Sequence, residues 1–482
     1  MNAALSSFRL TFLSLALFLI TAPAVQAQVA PVLTPFVPPD WIVGGEVDYQ
    51  LQYTGTATRF SQGGLPRGLL LDTRTGRITG RPEVAGQYRI VFTAYNGSAA
   101  SAPLVLQWLV NPLPAGTAGS YQALLDRNDW YNGGYGGSLR LTVASTGAYT
   151  GVITRGQHRD SISGRLLVVP GGTVSPSGSF LVPRRSPYTP LQVQFTLPLG
   201  TGALIGTLRE TAGAVIQISG YRVVTSSAAY VGQWNTALEL PGSLVGNATY
   251  PQGAGWAIQR IGSTGSISWI LRLADGLALT ASTGLGGSGQ TALHLMLYNY
   301  AGSIQGFQVF DSTLGSTTGS LGWVKSAFYS RSYTNGFPLH QLAANGARYT
   351  PPRNGAMIFG LTPGATNARL NFTQGGLGSP YTFVFGVLAA NRLKIPTFAS
   401  GSNPYRLTFG IDFVNGLLTG SGTAMDFVEG SPTNSRTGNF SALLIPGRNQ
   451  AVGHFLLPTS RTATAPILSG KLVGEENTIS VP

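Results

Sequence analysis

The sequence predicts an all-β protein, and three observations carry that prediction. Glycine supplies 65 of the 482 residues, about twice its usual share, yet hydrophobic residues still reach 43%. Only 10% of residues are charged, too few to clothe the solvent faces of long helices. Apolar and polar residues alternate in short runs punctuated by Thr-Gly, Asn-Gly and Gly-x-Gly turns. Together these features describe antiparallel strands joined by tight turns around an apolar core. The length corresponds to about three domains.

The chain has no cysteine. That removes disulfide frameworks, thiolate metal sites and thiol nucleophiles from consideration. The N-terminus reads as a targeting segment. Arg9 precedes an apolar run from Leu10 to Ile20, Pro23 breaks it, and Val25-Gln26-Ala27 offers small residues before Gln28. Such a run is shorter than the roughly 20 residues a membrane span requires. Residues 1–27 are therefore expected to be a cleavable signal peptide, which places the mature chain at the cell surface, in the extracellular space or in the periplasm. No other stretch qualifies as a transmembrane helix. A Pro-rich leader, 28–40, follows.

Formal net charge is +13, from 30 Lys and Arg against 17 Asp and Glu. The positive charge is scattered, its longest run being Arg184-Arg185. Nucleic-acid binders concentrate basic residues on one element, so nucleic acid is not an expected partner. The excess reads chiefly as a scarcity of acids. The partners left are an anionic surface polysaccharide or another envelope protein.

From Trp41 to Asn111 short strands alternate with turns. In Gly64–Asn96, Leu69 and Leu71 alternate inward, Thr75-Gly76 makes a tight turn and Ile78 points back to the core. Tyr88, Ile90, Phe92 and Ala94 then share one face of a strand. The residues Leu65, Pro66, Gly68, Leu69, Asp72, Gly76, Ile78, Gly80, Pro82, Gly86 and Tyr88 form a specific pattern. In this pattern residues 41–111 resemble the Putative Ig domain family of secreted bacterial proteins, a cadherin-like β-sandwich. The resemblance implies an Ig-like spacer or adhesive unit and brings no chemistry of its own. Cadherin-like relatives bind calcium between successive domains with carboxylate clusters. Here the acids Glu46, Asp48, Asp72 and Glu83 stand apart along the chain.

Residues 112–119, with Pro112 and Pro114, read as an exposed linker. Beyond it lies a large antiparallel β-repeat region of barrel-like or sandwich-like units, in three degenerate copies: 120–226, 227–345 and 346–482. The copies are aligned on recurring Gly turns, with Gly147 matched to Gly265, Gly202 to Gly302, and Gly265 to Gly416. Barrel and sandwich are equally compatible with the pattern.

Few motifs suggest chemistry. Gly284-Leu285-Gly286-Gly287-Ser288-Gly289 fits G-x-G-x-x-G, but a strand-like alternation follows where a dinucleotide fingerprint needs a helix. His158, His294, His340 and His454 are far apart, and no nucleophile elbow or zinc motif is present. No catalytic, cofactor or metal residue is therefore assigned. One loop is dense in polar and aromatic groups. In it Asp126, Asn128 and Asp129 offer oxygens to calcium, the one cofactor left open, while Trp130, Tyr131 and Tyr135 offer a sugar platform. The alternative is a hairpin loop whose aromatics cap a barrel end.

These readings converge on an exported, non-enzymatic surface or periplasmic protein serving adhesion or envelope structure. An outer-membrane β-barrel, a carbohydrate-active enzyme with an accessory Ig module, and a calcium-binding cadherin-like adhesin are the alternatives.

Overall fold

The computed structural model describes residues 28–37, 40–169, 171, 174–210, 213–353, 355–425 and 435–478. The expected signal peptide, 1–27, lies outside the described residues, as do Pro38 and Pro39 of the leader. The fold is all-β, as the composition predicts. Among the described residues no helix is long and apolar enough to cross a membrane.

The N-terminal module consists of β1 (Val32–Leu33), β2 (Trp41–Ile42), β3 (Val47–Gln50), β4 (Tyr53–Thr54), β5 (Arg59–Gly63), β6 (Leu69–Leu71), β7 (Arg77–Gly80), β8 (Gly86–Asn96), β9 (Ala99–Ala100) and β10 (Leu104–Asn111). One sheet runs β2-β10-β8-β5 with β9 on β8, and a second runs β3-β7-β6. The alternation of β8 buries Ile90, Phe92 and Ala94, and Phe60 and Ile78 are equally sealed. The turn after Asp72 explains its sequence. The Asp72 carboxylate accepts from the Arg74 amide at 2.8 Å and the Thr75 amide at 3.3 Å, and Gly76 takes φ +74°. Asp72 thus caps its own turn. Asp48 accepts from Arg77 Nε at 2.7 Å, and Glu46 pairs with Arg81 at 2.9 Å.

The chain divides into two compact units. Val47–Gly80 and Gln87–Trp108 belong to one, and Asp40–Glu46, Arg81–Gly86 and Leu109–Pro482 to the other. Within the second unit, Ile42 and Leu113 pack into the core of the first barrel described below. The segment 112–119 is only partly exposed: Thr117 is buried, and the Tyr121 hydroxyl lies 2.8 Å from the carbonyls of both Gly116 and Thr117.

Three near-closed barrels of eight strands follow one another along the chain. The first contains β11 (Gly119–Leu125), the one-turn helix α1 (Asp129–Asn132), β12 (Gly137–Val143), β13 (Ala148–Arg155), β14 (His158–Arg165), β15 (Ser177–Val182), β16 (Leu191–Thr196), β17 (Ala203–Arg209) and β18 (Val215–Arg222). The second contains β19 (Gly232–Glu239), β20 (Gly255–Ile261), β21 (Ser266–Arg272), β22 (Ala278–Gly284), β23 (Gln290–Leu297), β24 (Gly302–Asp311), β25 (Ser316–Lys325) and β26 (Phe337–Tyr349). The third contains β27 (Gly364–Gln374), β28 (Tyr381–Leu388), β29 (Arg392–Lys394), β30 (Thr408–Asp412), β31 (Leu417–Met425), β32 (Ser435–Ile445), β33 (Gln450–Pro458) and β34 (Ile467–Glu476).

Each barrel closes by pairing its first strand with its last, β11 with β18, β19 with β26 and β27 with β34. One seam stays unzipped in each, at β14/β15, β22/β23 and β29/β30. The interiors are packed with apolar side chains, such as Leu139, Ile153 and Phe195 in the first barrel and Trp234, Trp269 and Trp323 in the second. Phe383, Phe385 and Phe440 help fill the third. The barrel outcome resolves the choice the sequence left open.

The turn alignments fare unequally. Gly147 and Gly265 both sit between the second and third strands of their barrels. Gly202 instead precedes a seventh strand and Gly302 opens a sixth, while Gly416 lies between a fourth and a fifth. Gly147, Gly265 and Gly416 share φ values of +77°, +78° and +73°. Any tight hairpin asks for that geometry, so a Gly turn does not reveal which hairpin it closes.

Candidate functional site

The site grows out of how the second and third barrels meet. Strands β19, β20, β32 and β33 are buried on both faces, not on alternate residues. Their inward residues fill the barrels. Their outward residues Ala237, Trp256, Ile258, Leu443, Ile445 and Val452 form a separate apolar cluster between them. Each fully buried aliphatic side chain there contributes about 1.5–3 kcal/mol. Polar contacts fix the register: Trp256 Nε1 donates to Ser441 Oγ at 3.0 Å, Ala254 N to the Gly453 carbonyl at 3.0 Å, and Asn235 Nδ2 to the Leu444 carbonyl at 3.0 Å.

Beside this contact a cleft of about 640 Å³ opens, lined by Arg272 at the end of β21 and by β30–β33 of the third barrel. Cross-strand register arranges the polar groups there in two rows. Thr408, Ser421 and Asn439 are direct neighbours across β30, β31 and β32. Thr419, Ser441 and His454 are neighbours across β31, β32 and β33. Strand alternation explains why these residues face outward, since Leu418, Phe440, Ala442 and Phe455 take the interior positions.

The electrostatics of the cleft are simple. Among its described lining residues Arg272 carries the one formal charge, and its Nε is buried without a hydrogen-bond partner. His454 is fully sealed and its Nδ1 lies 2.9 Å from the Ala254 carbonyl. Burial, reinforced by the nearby Arg272 cation, holds its pKa down to about 4, so the ring is neutral at pH 7. Chemically the cleft offers a guanidinium fork, hydroxyls and a carboxamide. It suits recognition of an anionic, hydroxyl-bearing group.

The loop singled out from sequence does something else. Asn128 caps α1, its side-chain oxygen accepting from Trp130 N at 3.0 Å and Tyr131 N at 3.1 Å. Tyr131 is buried in the first barrel's core, Trp130 is 85% exposed, and the Tyr135 hydroxyl lies 2.7 Å from Ser326 Oγ of the second barrel. The three aromatics therefore point apart and build no common platform. Neighbouring Arg127 donates to Ser303 Oγ and to the Gly322 carbonyl, both at 2.7 Å, so the loop clamps two barrels together. Asn132, which the sequence reading passed over, ties the loop from within: its Oδ1 accepts from Asn128 N and Gly136 N, and its Nδ2 donates to the Asp126 carbonyl. Asp126 and Asp129 join no metal-holding group, and none of three or more His, Cys, Asp or Glu occurs among the described residues.

The histidines do not converge. His158 is exposed, His294 is half-buried, and His340 and His454 are buried, each at a separate place. The G-x-G-x-x-G segment is a tight turn at the β22/β23 seam followed by strand, with Gly289 N bonded to the Gly286 carbonyl at 3.0 Å. Buried Asp275 is spent on structure. It accepts from Tyr298 at 2.7 Å, and Tyr298 in turn accepts from Trp323 Nε1 at 3.1 Å. Arg272 and His454 carried no local motif. Only their placement on facing barrels makes a site of them.

The N-terminal module has two main sheets, a two-stranded β1-β4 pair and the buried alternation of an Ig-like fold. Residues 29–111 match the Putative Ig domain family. The Putative Ig domain thus accounts for the N-terminal module and not for the barrels. A comparison with curated proteins finds no match. Among solved structures, a Nostoc punctiforme protein of unknown function aligns over 48% of this chain and 97% of its own, at 10% identity and TM-score 0.18. The intact Ap-TbpB, with N and C lobes, aligns over 90% and 86% at 9% identity and TM-score 0.19. Transferrin binding protein B from Haemophilus parasuis aligns over 92% and 94% at 12% identity and TM-score 0.18.

Proposed function

We propose that the protein is an exported, non-enzymatic surface or periplasmic protein that acts in adhesion or envelope structure by holding an anionic surface polysaccharide. The observation that carries this reading is the coupling of a Putative Ig domain at 29–111 to barrels whose interiors are filled. Packed interiors leave function to the outer surfaces and the clefts between units. The barrels bury apolar residues inside and turn polar ones such as Arg140, Gln192 and Gln194 outward. A membrane-spanning barrel has the reverse pattern, so this supports an aqueous setting over the outer-membrane alternative.

Fractionation of cells expressing the full chain with a C-terminal epitope tests the reading. The expected result is an exported product whose N-terminus is Gln28, released by salt or urea without detergent. Retention in the cytoplasm, or release only by detergent, would overturn it.

A further inference from the structure

We infer that the cleft between the second and third barrels is a binding subsite for a carboxylated saccharide, with Arg272 receiving the carboxylate. The inference rests on the polysaccharide reading above and gives it a place and a chemistry. Four features carry it.

Arg272 is a half-buried cation without a counter-charge. Its Nε has no hydrogen-bond partner, and no carboxylate stands among the described lining residues. Other arginines of the barrels are spent on protein partners: Arg448 on Glu239 and Arg127 on Ser303 across barrel contacts, and Arg369 on Glu475 within the third barrel. An unpaired guanidinium in a partly desolvated cleft is costly to the fold, and a bidentate carboxylate is the partner that best satisfies its planar fork.

The rest of the lining matches a sugar rather than a bare ion. Thr408, Ser421 and Asn439 form one row and Thr419 and Ser441 lie in the next, each able to donate or accept. Thr419 and Asn439 are exposed on strands and leave their side-chain polar atoms available. The volume, about 640 Å³, lies within the range of small-ligand sites.

The frame is rigid. Trp256, next to Arg272 across β20 and β21, is anchored to Ser441, which tethers the Arg-bearing strand to the polar rows. His454 forms the floor and, being neutral at pH 7, neither repels Arg272 nor competes for the ligand's charge. A preorganised site of this kind loses little entropy on binding.

Calorimetric titration of the purified mature chain tests the inference with trigalacturonate, its neutral counterpart galactotriose, and acetate. Trigalacturonate is expected to bind, galactotriose and acetate to bind at least about tenfold more weakly. Arg272→Gln should weaken trigalacturonate binding by about tenfold or more, and Arg272→Lys should retain part of it. Ser421→Trp fills the cleft while leaving Arg272 in place, and should abolish binding with an unchanged melting temperature. Equal binding of acetate and trigalacturonate would reduce the site to an anion hole and overturn the saccharide assignment. No binding of trigalacturonate, or binding by the Arg272→Gln and Ser421→Trp proteins as tight as by the natural chain, would overturn the site itself. The titration uses isolated protein, so its failure is distinct from a failure of export.

Discussion

The hydroxyl of Tyr221, on the last strand of the first barrel, donates a 2.8 Å hydrogen bond to the carbonyl of Gly284 in the second. It also accepts from the Ala292 amide at 2.9 Å. Gly284 ends β22 and Ala292 lies on β23, the two strands that fail to pair at the second barrel's seam. Gln122 accepts from the Gly284 amide at 2.9 Å on the same edge. Side chains of one barrel therefore satisfy backbone groups that an open seam would expose in the next, a way to blunt free strand edges.

Tyr221→Phe should test this linkage directly. It removes one donor and one acceptor and leaves buried backbone groups at Gly284 and Ala292 unsatisfied. The expected cost is about 1–3 kcal/mol, read as a lower urea midpoint. Faster exchange of the Ala292 amide should accompany it. An unchanged midpoint with unchanged exchange would mean that water replaces the phenol without loss.

The same burial predicts alkaline sensitivity. Desolvation pushes Tyr221, Tyr333, Tyr349 and Tyr381 up to about 12. An unfolded tyrosine titrates near about 10, so between these values the unfolded chain has lost protons that the folded chain keeps. Stability contributed by the neutral phenols is complete below about pH 10 and is lost as pH rises toward about 12. Thermal melts at pH 8, 10 and 11 should show a falling midpoint, steepest above about pH 10, and Tyr221→Phe should flatten part of that fall.

Much of the architecture is legible in the sequence because strand alternation and Gly turns are local signals. Ile90-Phe92-Ala94 reads correctly because one face of β8 meets the core and the other does not. The run Ser441-Ala442-Leu443-Leu444-Ile445 breaks alternation because both of its faces are covered, one by its own barrel and one by its neighbour. Periodicity cannot distinguish such a strand from a buried helix segment. The candidate cleft was illegible for a related reason. Arg272 and Asn439 are 167 residues apart, and nothing near either one marks it.

On the acid side, two desolvated histidines dominate. His294 and His454 are both held down to about 4, chiefly by desolvation. Their unfolded counterparts titrate near about 6.5, so below that pH the unfolded chain binds protons that the fold refuses. Stability should fall as pH drops from about 6.5 to 4, by on the order of 3 kcal/mol for each histidine over the full range. His454→Asn keeps a donor for the Ala254 carbonyl and removes one titrating group. Urea midpoints at pH 7 and 4.5 should differ less for the variant than for the natural chain.

The final prediction concerns the aromatic loop that the sequence singled out. Trp130 and Tyr131 are adjacent yet have opposite fates, because the turn of α1 points one outward and the other into the first barrel. Trp130 is 85% exposed, so Trp130→Ala should change stability by no more than about 0.5 kcal/mol. Tyr131 is 5% exposed within a continuous apolar core, and Tyr131→Ala should cost about 3–5 kcal/mol, the usual price of deleting a buried aromatic ring. Neither change should alter trigalacturonate binding, since both residues lie on the first barrel and the cleft is built by the second and third. Loss of binding in Trp130→Ala, with the melting temperature preserved, would return the loop to candidacy as a sugar platform. Loss in Tyr131→Ala alone would trace to the collapse of the first barrel, which circular dichroism of the same sample would reveal.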